Sequence, residues 1–383
     1  MGPFEFLTNE TGFSSLTWGH VVMWVIAFIF LYLAIKKDFE PLLLVPIGFS
    51  IFIVNLPNVP LVDEGELIWI FYHYGLEWEV IPPLIFMGVG ALTDFGPLIA
   101  SPKNLLLGAA AQFGVYVTFF GALLIGPISI QLGHPEFAFT LKEAASIGII
   151  GGADGPTCIY LTQSLAPRLL GPNAVAAYSY MAMVPIIQPP LIKMFTTREE
   201  RLIRMKALRK VSRAEKILFP LFGVGTVCLL VPAAAPLMGM FFLGNLFRES
   251  GAVERLNKAA QNELLNIVTI FLGIAVGSTM RAEVFLAPQP IFIFALGLIA
   301  FSFATIGGIF LAKFMNLFMK DKINPLIGSA GVSAVPMAAR VSNKMGLAED
   351  PSNFLLMHAM GPNVAGVIGT AVAAGLFLTL LGD

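Results

Sequence analysis

Four apolar runs, at 20–35, 105–124, 218–238 and 290–314, are each long enough to cross the hydrocarbon core of a bilayer, at about 20 residues per helix. In that medium a chain must satisfy its own peptide groups, which a helix does. Charge is scarce, at 12% Asp, Glu, Lys and Arg, where a soluble domain carries roughly 25%. The 37 glycines and 26 prolines then point to close-packed and interrupted membrane helices. A formal net charge of −1 leaves no basic surface for nucleic acid. Cys158 and Cys228 both lie in apolar stretches and form neither a disulfide framework nor a metal cluster. The first ~15 residues lack Lys and Arg and have no cleavable signal pattern.

Within this apolar background Gly151-Gly152-Ala153-Asp154-Gly155-Pro156-Thr157 places a carboxylate among helix breakers. A charge at membrane depth costs at least about 2.5–3.5 kcal/mol, so Asp154 is a functional candidate. The glycines and Pro156 oppose a continuous helix through this point. A break there would expose backbone carbonyls beside the carboxylate, as in many cation transporters.

Basic residues set the orientation. Lys36-Lys37 follows the first span, whereas the N-terminus offers only Glu5 and Glu10, so the N-terminus is expected outside. The segment 193–216 carries Lys193, Arg198, Arg201, Arg204, Lys206, Arg209, Lys210, Arg213 and Lys216 against Glu199, Glu200 and Glu215, and is expected in the cytoplasm. It reads as a topology-setting loop or as a docking surface for an acidic soluble partner.

The same segment divides two similar halves, 1–193 and 217–383, with 194–216 as the linker. Phe86-Met87-Gly88-Val89-Gly90-Ala91-Leu92-Thr93 is echoed by Leu272-Gly273-Ile274-Ala275-Val276-Gly277-Ser278-Thr279, and Ala182-Met183-Val184-Pro185 by Ala359-Met360-Gly361-Pro362. Pro41–Gly48 has a weaker echo at 236–240. The fold class expected is all-α and polytopic, with about 10–12 transmembrane segments in two inverted repeats and discontinuous helices at the midplane.

A repeat demands a counterpart to the first broken element, expected around 144–170. The stretch 324–340 supplies it, combining glycines, hydroxyls and prolines. Asn324, Ser329, Ser333 and, further on, Asn363 add neutral oxygens suited with one carboxylate to a monovalent hard cation. Ser329 alone reads as an interhelical hydrogen bond. His358 reads as a packing histidine.

These motifs, with Lys37-Asp38-Phe39-Glu40-Pro41-Leu42-Leu43-Leu44, resemble the beta subunit of the sodium-pumping biotin-dependent decarboxylases. That group acts on oxaloacetate, methylmalonyl-CoA, glutaconyl-CoA or malonate, and the resemblance covers essentially the whole chain. It implies a mechanism. A carboxyltransferase alpha subunit would load biotin on a biotin carrier subunit. Carboxybiotin, which is not attached to this chain, would then be decarboxylated here with uptake of a proton and release of CO2, driving Na+ outward. A small membrane-anchored subunit and a homo-oligomer within the complex are also implied, in the membrane of a prokaryotic cell.

Carried over by motif, Asp154, Asn324, Gly328, Ser333 and Asn363 would form the sodium site, with Gly328 allowing close backbone approach. Tyr180 would offer a hydroxyl for ion binding or proton delivery. Arg340 would clamp a carboxylate, that of carboxybiotin or of Asp154. Asp154, Arg340 and Tyr180 are the catalytic candidates. A plain sodium-coupled transporter of a small carboxylate would use the same architecture, and composition and topology leave that alternative open.

Overall fold

The computed structural model describes residues 11–131 and 133–382. Glu5 and Glu10, on which the N-terminal orientation rests, lie outside them. The regular elements of the described residues are all helices, without strands. The helices used below are α1 (Trp18–Lys37), α2 (Pro41–Val54), α3 (Ile81–Leu92), α4 (Asn104–Ala111), α5 (Phe113–Gln131), α6 (Leu141–Gly148), α7 (Gly155–Leu165), α8 (Leu170–Ala182), α9 (Val184–Phe195), α10 (Arg213–Leu230), α11 (Ala235–Ser250), α12 (Leu265–Ser278), α13 (Gln289–Phe318), α14 (Pro325–Ser329), α15 (Met337–Glu349) and α16 (Leu356–Leu381).

By length and composition, five helical segments are able to cross a membrane: 18–37, 104–131, 254–278, 289–318 and 356–381. Two further pairs, Leu67–Glu77 with Ile81–Leu92 and Pro167–Ala182 with Val184–Phe195, qualify only jointly and bend by 68° and 65°. This gives five to seven spans among the described residues, below the 10–12 expected. The shortfall has a local cause. Helices such as α2, at 14 residues, and α11, at 16, are cut short by turns at Asn55 and Gly251. Large apolar side chains face outward, among them Phe222, Leu229 and Ile291, each at least 70% exposed. Such a surface suits lipid rather than water. The chain is a multi-pass membrane protein.

Two contacts between the halves are reciprocal. α2 packs on α12, and α11 packs on α3. Both crossings bring backbones together at glycine. A Cβ on Gly277 would sit 2.7 Å from the Ile47 carbonyl oxygen, and one on Gly244 1.9 Å from that of Met87. Both are tied by a buried asparagine. Asn55 donates to the Met280 carbonyl at 2.9 Å, and Asn245 to the Thr93 carbonyl at 2.8 Å.

The basic linker is held by the protein's own carboxylates. Arg201 pairs with Glu349 (2.7 Å), Arg204 with Asp350 (2.7 Å), Lys206 with Asp321 (2.6 Å) and Arg209 with Glu215 (2.6 Å). Arg209 and the Ser212 cap of α10 hold the Glu215 carboxyl down at about 2. Much of the charge that could meet an acidic partner is therefore neutralised internally.

Candidate functional site

α6 begins at a Thr140 cap with Glu143 closing the capping box, then ends at Gly148. A 3₁₀ turn, Ile149–Gly152, follows. Ala153 adopts left-handed φ of 56° while fully buried, and Asp154 is extended before α7 starts with Pro156 in its first turn. A non-glycine residue held in that region stores backbone strain. The turn can press against α5 because Gly151 lacks a side chain: a Cβ there would lie 2.5 Å from the Gly114 backbone.

Asp154 is 6% exposed and makes no ion pair among the described residues. Its Oδ2 accepts the Thr157 hydroxyl at 2.8 Å. It stands at the N-terminus of α7, where the helix dipole favours a negative charge. No group of three His, Cys, Asp or Glu side chains comes together among the described residues. Any cation bound here would draw on Asp154 with neutral oxygens.

The second irregular segment reaches the first directly. α14 ends at Ser329, and residues 330–336 run irregularly to α15. Ser333 donates its backbone N–H to the Gly152 carbonyl at 3.0 Å. Asp154 and Ser333 line one cavity of about 70 Å³ with Phe86, Val89, Pro156, Met181, Val335 and Val367.

Asn363, on α16, is fully buried. Its Nδ2 donates to the Ala330 carbonyl at 3.0 Å and to that of Val332 at 2.7 Å, which fixes the amide orientation. Its Oδ1 is left without a hydrogen-bond partner. A buried acceptor without a donor is costly, by about 1–3 kcal/mol, and a cation is one way to satisfy it.

Two polar residues that the sequence reading did not single out join this cluster. The Thr370 hydroxyl lies 2.8 Å from that of Ser333 and 3.3 Å from Gln112 Oε1, and Gln112 also donates to the Gly366 carbonyl. Thr370 follows Asn363 by two helical turns, so the common face was open to inspection. Tyr178 was likewise passed over. Its ring lies against Gly155, where a Cβ would come within 2.6 Å of the Tyr178 hydroxyl oxygen. That hydroxyl has no hydrogen bond among the described residues.

The remaining predicted residues lie elsewhere. Tyr180, two positions from Tyr178 and so on another helix face, donates its hydroxyl to the Phe294 carbonyl and packs on Gly297. Asn324 caps α14 through Leu326 N–H and spends its Nδ2 on the Arg201 and Ile203 carbonyls, at 2.9 and 2.8 Å. Gly328 meets Gly308 of α13, where a Cβ would stand 2.3 Å from the Gly308 oxygen. Arg340 is exposed and unpaired among the described residues, so it does not neutralise Asp154 here. Ser329 bonds the Leu326 carbonyl and the Ser342 hydroxyl, which matches its reading as a packing contact.

Comparison with known proteins adds the family. A profile described as the Na+-transporting oxaloacetate decarboxylase beta subunit matches residues 19–381. The chain is 55% identical over 398 residues to the methylmalonyl-CoA decarboxylase subunit beta of Propionigenium modestum, covering 98% of each. It is 56% identical over 374 residues to the glutaconyl-CoA decarboxylase subunit beta of Acidaminococcus fermentans, covering 98% of this chain and 96% of that protein. Against the oxaloacetate decarboxylase beta chain of Klebsiella pneumoniae the identity is 52% over 433 residues, covering 99% of each. With helices of membrane-spanning length and a match along nearly its whole extent, the chain belongs to the family of Na+-transporting decarboxylase beta subunits.

Proposed function

We propose that this subunit decarboxylates carboxybiotin within the membrane and uses the released free energy to move sodium outward, taking up a proton as CO2 leaves. The observation that carries the reading is the junction of the two irregular segments. Asp154 and Ser333 face one small cavity, and Asn363, whose amide holds the Val332 carbonyl next to Ser333, has a side-chain oxygen that lacks a donor. A carboxylate, a hydroxyl and an amide oxygen beside irregular backbone make a donor set suited to a monovalent hard cation.

In this reading Asp154 is the charged sodium ligand, and Ser333 and Asn363 supply neutral oxygens. Thr157 orients the carboxylate. Tyr178 and Tyr180 are the tyrosines available for proton delivery, and the free hydroxyl of Tyr178 favours it. Arg340, unpaired and exposed, is available for a carboxylate brought by a partner. Asn324 and Gly328 serve the site indirectly, by fixing the second segment to the linker and to α13.

Relatives named for three different acyl substrates share more than half of their residues with this chain. That is expected if the acyl substrate is handled by a carboxyltransferase alpha subunit, with biotin brought by a carrier subunit. A small membrane-anchored subunit and further copies of this chain complete the assembly we infer. The reciprocal packing of α2 on α12 and α11 on α3 supports two inverted repeats, and the irregular segments at 149–154 and 330–336 support discontinuous helices. Purified protein in lipid discs tests the reading, with sodium-dependent decarboxylation of free carboxybiotin compared between wild type and Asp154→Asn. We expect turnover to fall at least about 100-fold, the loss of roughly 2.7 kcal/mol of coupling. Equal turnover in the two proteins would refute the assignment.

A further inference from the structure

The largest cavities include one of about 490 Å³ that the sodium site does not use. Four separate stretches of the chain close around it: the start of α4 with the residues before it, the linker, the turn between α13 and α14, and the first turn of α16 at His358. Its walls carry Lys103, Arg204, Lys206, Arg209, Lys320 and Lys322, against Asp321 alone. Arg204, Lys206 and Arg209 are each neutralised by a carboxylate at 2.6–2.7 Å. Lys103, Lys320 and Lys322 have no ion pair or side-chain hydrogen bond among the described residues. Three uncompensated cations, Lys103 from one part of the sequence and Lys320 and Lys322 from another, thus meet at one concavity, whose volume suits a small organic ligand rather than a lone ion.

The cavity is also wired to the sodium site. His358 lies in its wall, one turn and a half before Asn363 on α16. Asn104, beside Lys103, packs on Gly361 of the same helix, where a Cβ would lie 2.3 Å from its Nδ2. The opposite wall begins at Ile203, whose carbonyl accepts from Asn324 Nδ2 at the head of α14 and from Asn353 at 3.4 Å. A ligand that draws these walls together therefore acts on the helix carrying Asn363 and on the segment leading to Ser333.

We propose that this cavity is the receiving site for carboxylated biotin, whose N-carboxylate is held by Lys103, Lys320 and Lys322. The inference rests on the carboxybiotin reading above and places the ligand's arrival point away from Arg340. Ammonium groups hold a carboxylate as point charges, tolerant of its approach angle, which suits a group swung in on a carrier. The positive field also steers the anion toward the mouth.

The test measures kinetics with free carboxybiotin as the probe, in discs of phosphatidylcholine and in discs containing cardiolipin. Lys103→Gln, Lys320→Gln and Lys322→Gln should each raise KM about 2- to 5-fold, from the usual strength of exposed charge pairs, while kcat and its sodium dependence persist. The triple variant should raise KM about 10-fold or more and flatten the rise of KM with salt. Arginine at the three positions should restore KM, and Lys210→Gln, on the same basic segment but outside the cavity, should leave it unchanged. A triple variant with wild-type KM and unaltered thermal stability would overturn the proposal. So would an effect seen only with cardiolipin, which would assign the cavity to a lipid headgroup. A wild type that does not decarboxylate carboxybiotin would instead sink the function reading, which separates the two failures.

Discussion

Ser333 donates its backbone N–H to the carbonyl of Gly152 at 3.0 Å, so the two irregular segments, 181 residues apart, join main chain to main chain beside Asp154. A backbone–backbone hydrogen bond of this kind is independent of side-chain chemistry. It needs only that both backbones leave the helical path at the same place. The cavity shared by Asp154 and Ser333 follows from it.

Asn363→Leu removes the donors that hold the Ala330 and Val332 carbonyls. Two buried acceptors then lose their partners, at about 1–3 kcal/mol each, less whatever the orphaned Oδ1 now costs. Thermal unfolding in micelles should shift down by several degrees. Sodium protection against unfolding should shrink with it, and undiminished protection would exclude Asn363 from the site.

Gly328→Ala places a methyl 2.3 Å from the Gly308 carbonyl oxygen, a backbone atom that cannot step aside. Overpacking of this sort costs about 1–3 kcal/mol. Gly239→Ala is the matched control, because nothing lies within 4 Å of its added Cβ. The first variant should unfold at lower temperature, and the second should unfold no earlier than wild type, since alanine is the better helix former.

Tyr178→Phe and Tyr180→Phe separate the two tyrosines. Loss of the Tyr180 hydroxyl leaves the Phe294 carbonyl short of a donor, about 1 kcal/mol of stability, with the sodium response kept. Loss of the Tyr178 hydroxyl breaks no hydrogen bond among the described residues. It should lower turnover without lowering stability, and the pH profile of decarboxylation is where the change should be read.

Acid should release the linker. The Arg201 side chain holds Glu349 below its ordinary value of 4.5, and the Ser352 backbone, its hydroxyl and Arg204 hold Asp350 below 3.8. Carboxyls more acidic in the folded than in the unfolded state stabilise the linker fully above the ordinary values. The contribution is lost as pH falls through the lowered ones. Hydrogen exchange at 201–205, corrected for its intrinsic pH dependence, should stay slow from pH 7 to about 5 and speed up below about 4. Exchange that is flat across this range would mean that Asn324 and Asn353 alone carry the tether.

Much of the candidate site was legible in order along the chain. Asp154 stands out because a carboxylate in an apolar stretch has no local structural explanation. Gly151, Gly152 and Pro156 mark the break for reasons of backbone conformation that hold in any context. Thr370 and Tyr178 were missed for a different reason. A threonine or tyrosine in a membrane span is ordinary, and only the neighbours that surround it make it part of a site. Asn324 and Gly328 carried a family expectation as sodium-site residues, whereas their contacts here go to the linker and to α13. Five to seven segments are long and apolar enough to span, against the 10–12 expected, because hydropathy does not register the bends at 68° and 65° or the short helices between turns.

The class of protein and the break beside Asp154 can be read from the residues alone, because they depend on transfer free energies and on the φ/ψ limits of glycine and proline. Which broken ends meet, which amide oxygens, that of Asn363 among them, are left without a donor, and which lysines remain unpaired follow from how the chain packs. Each of those depends on distances between residues from about thirty to nearly two hundred positions apart, and a linear chain carries no measure of such distances.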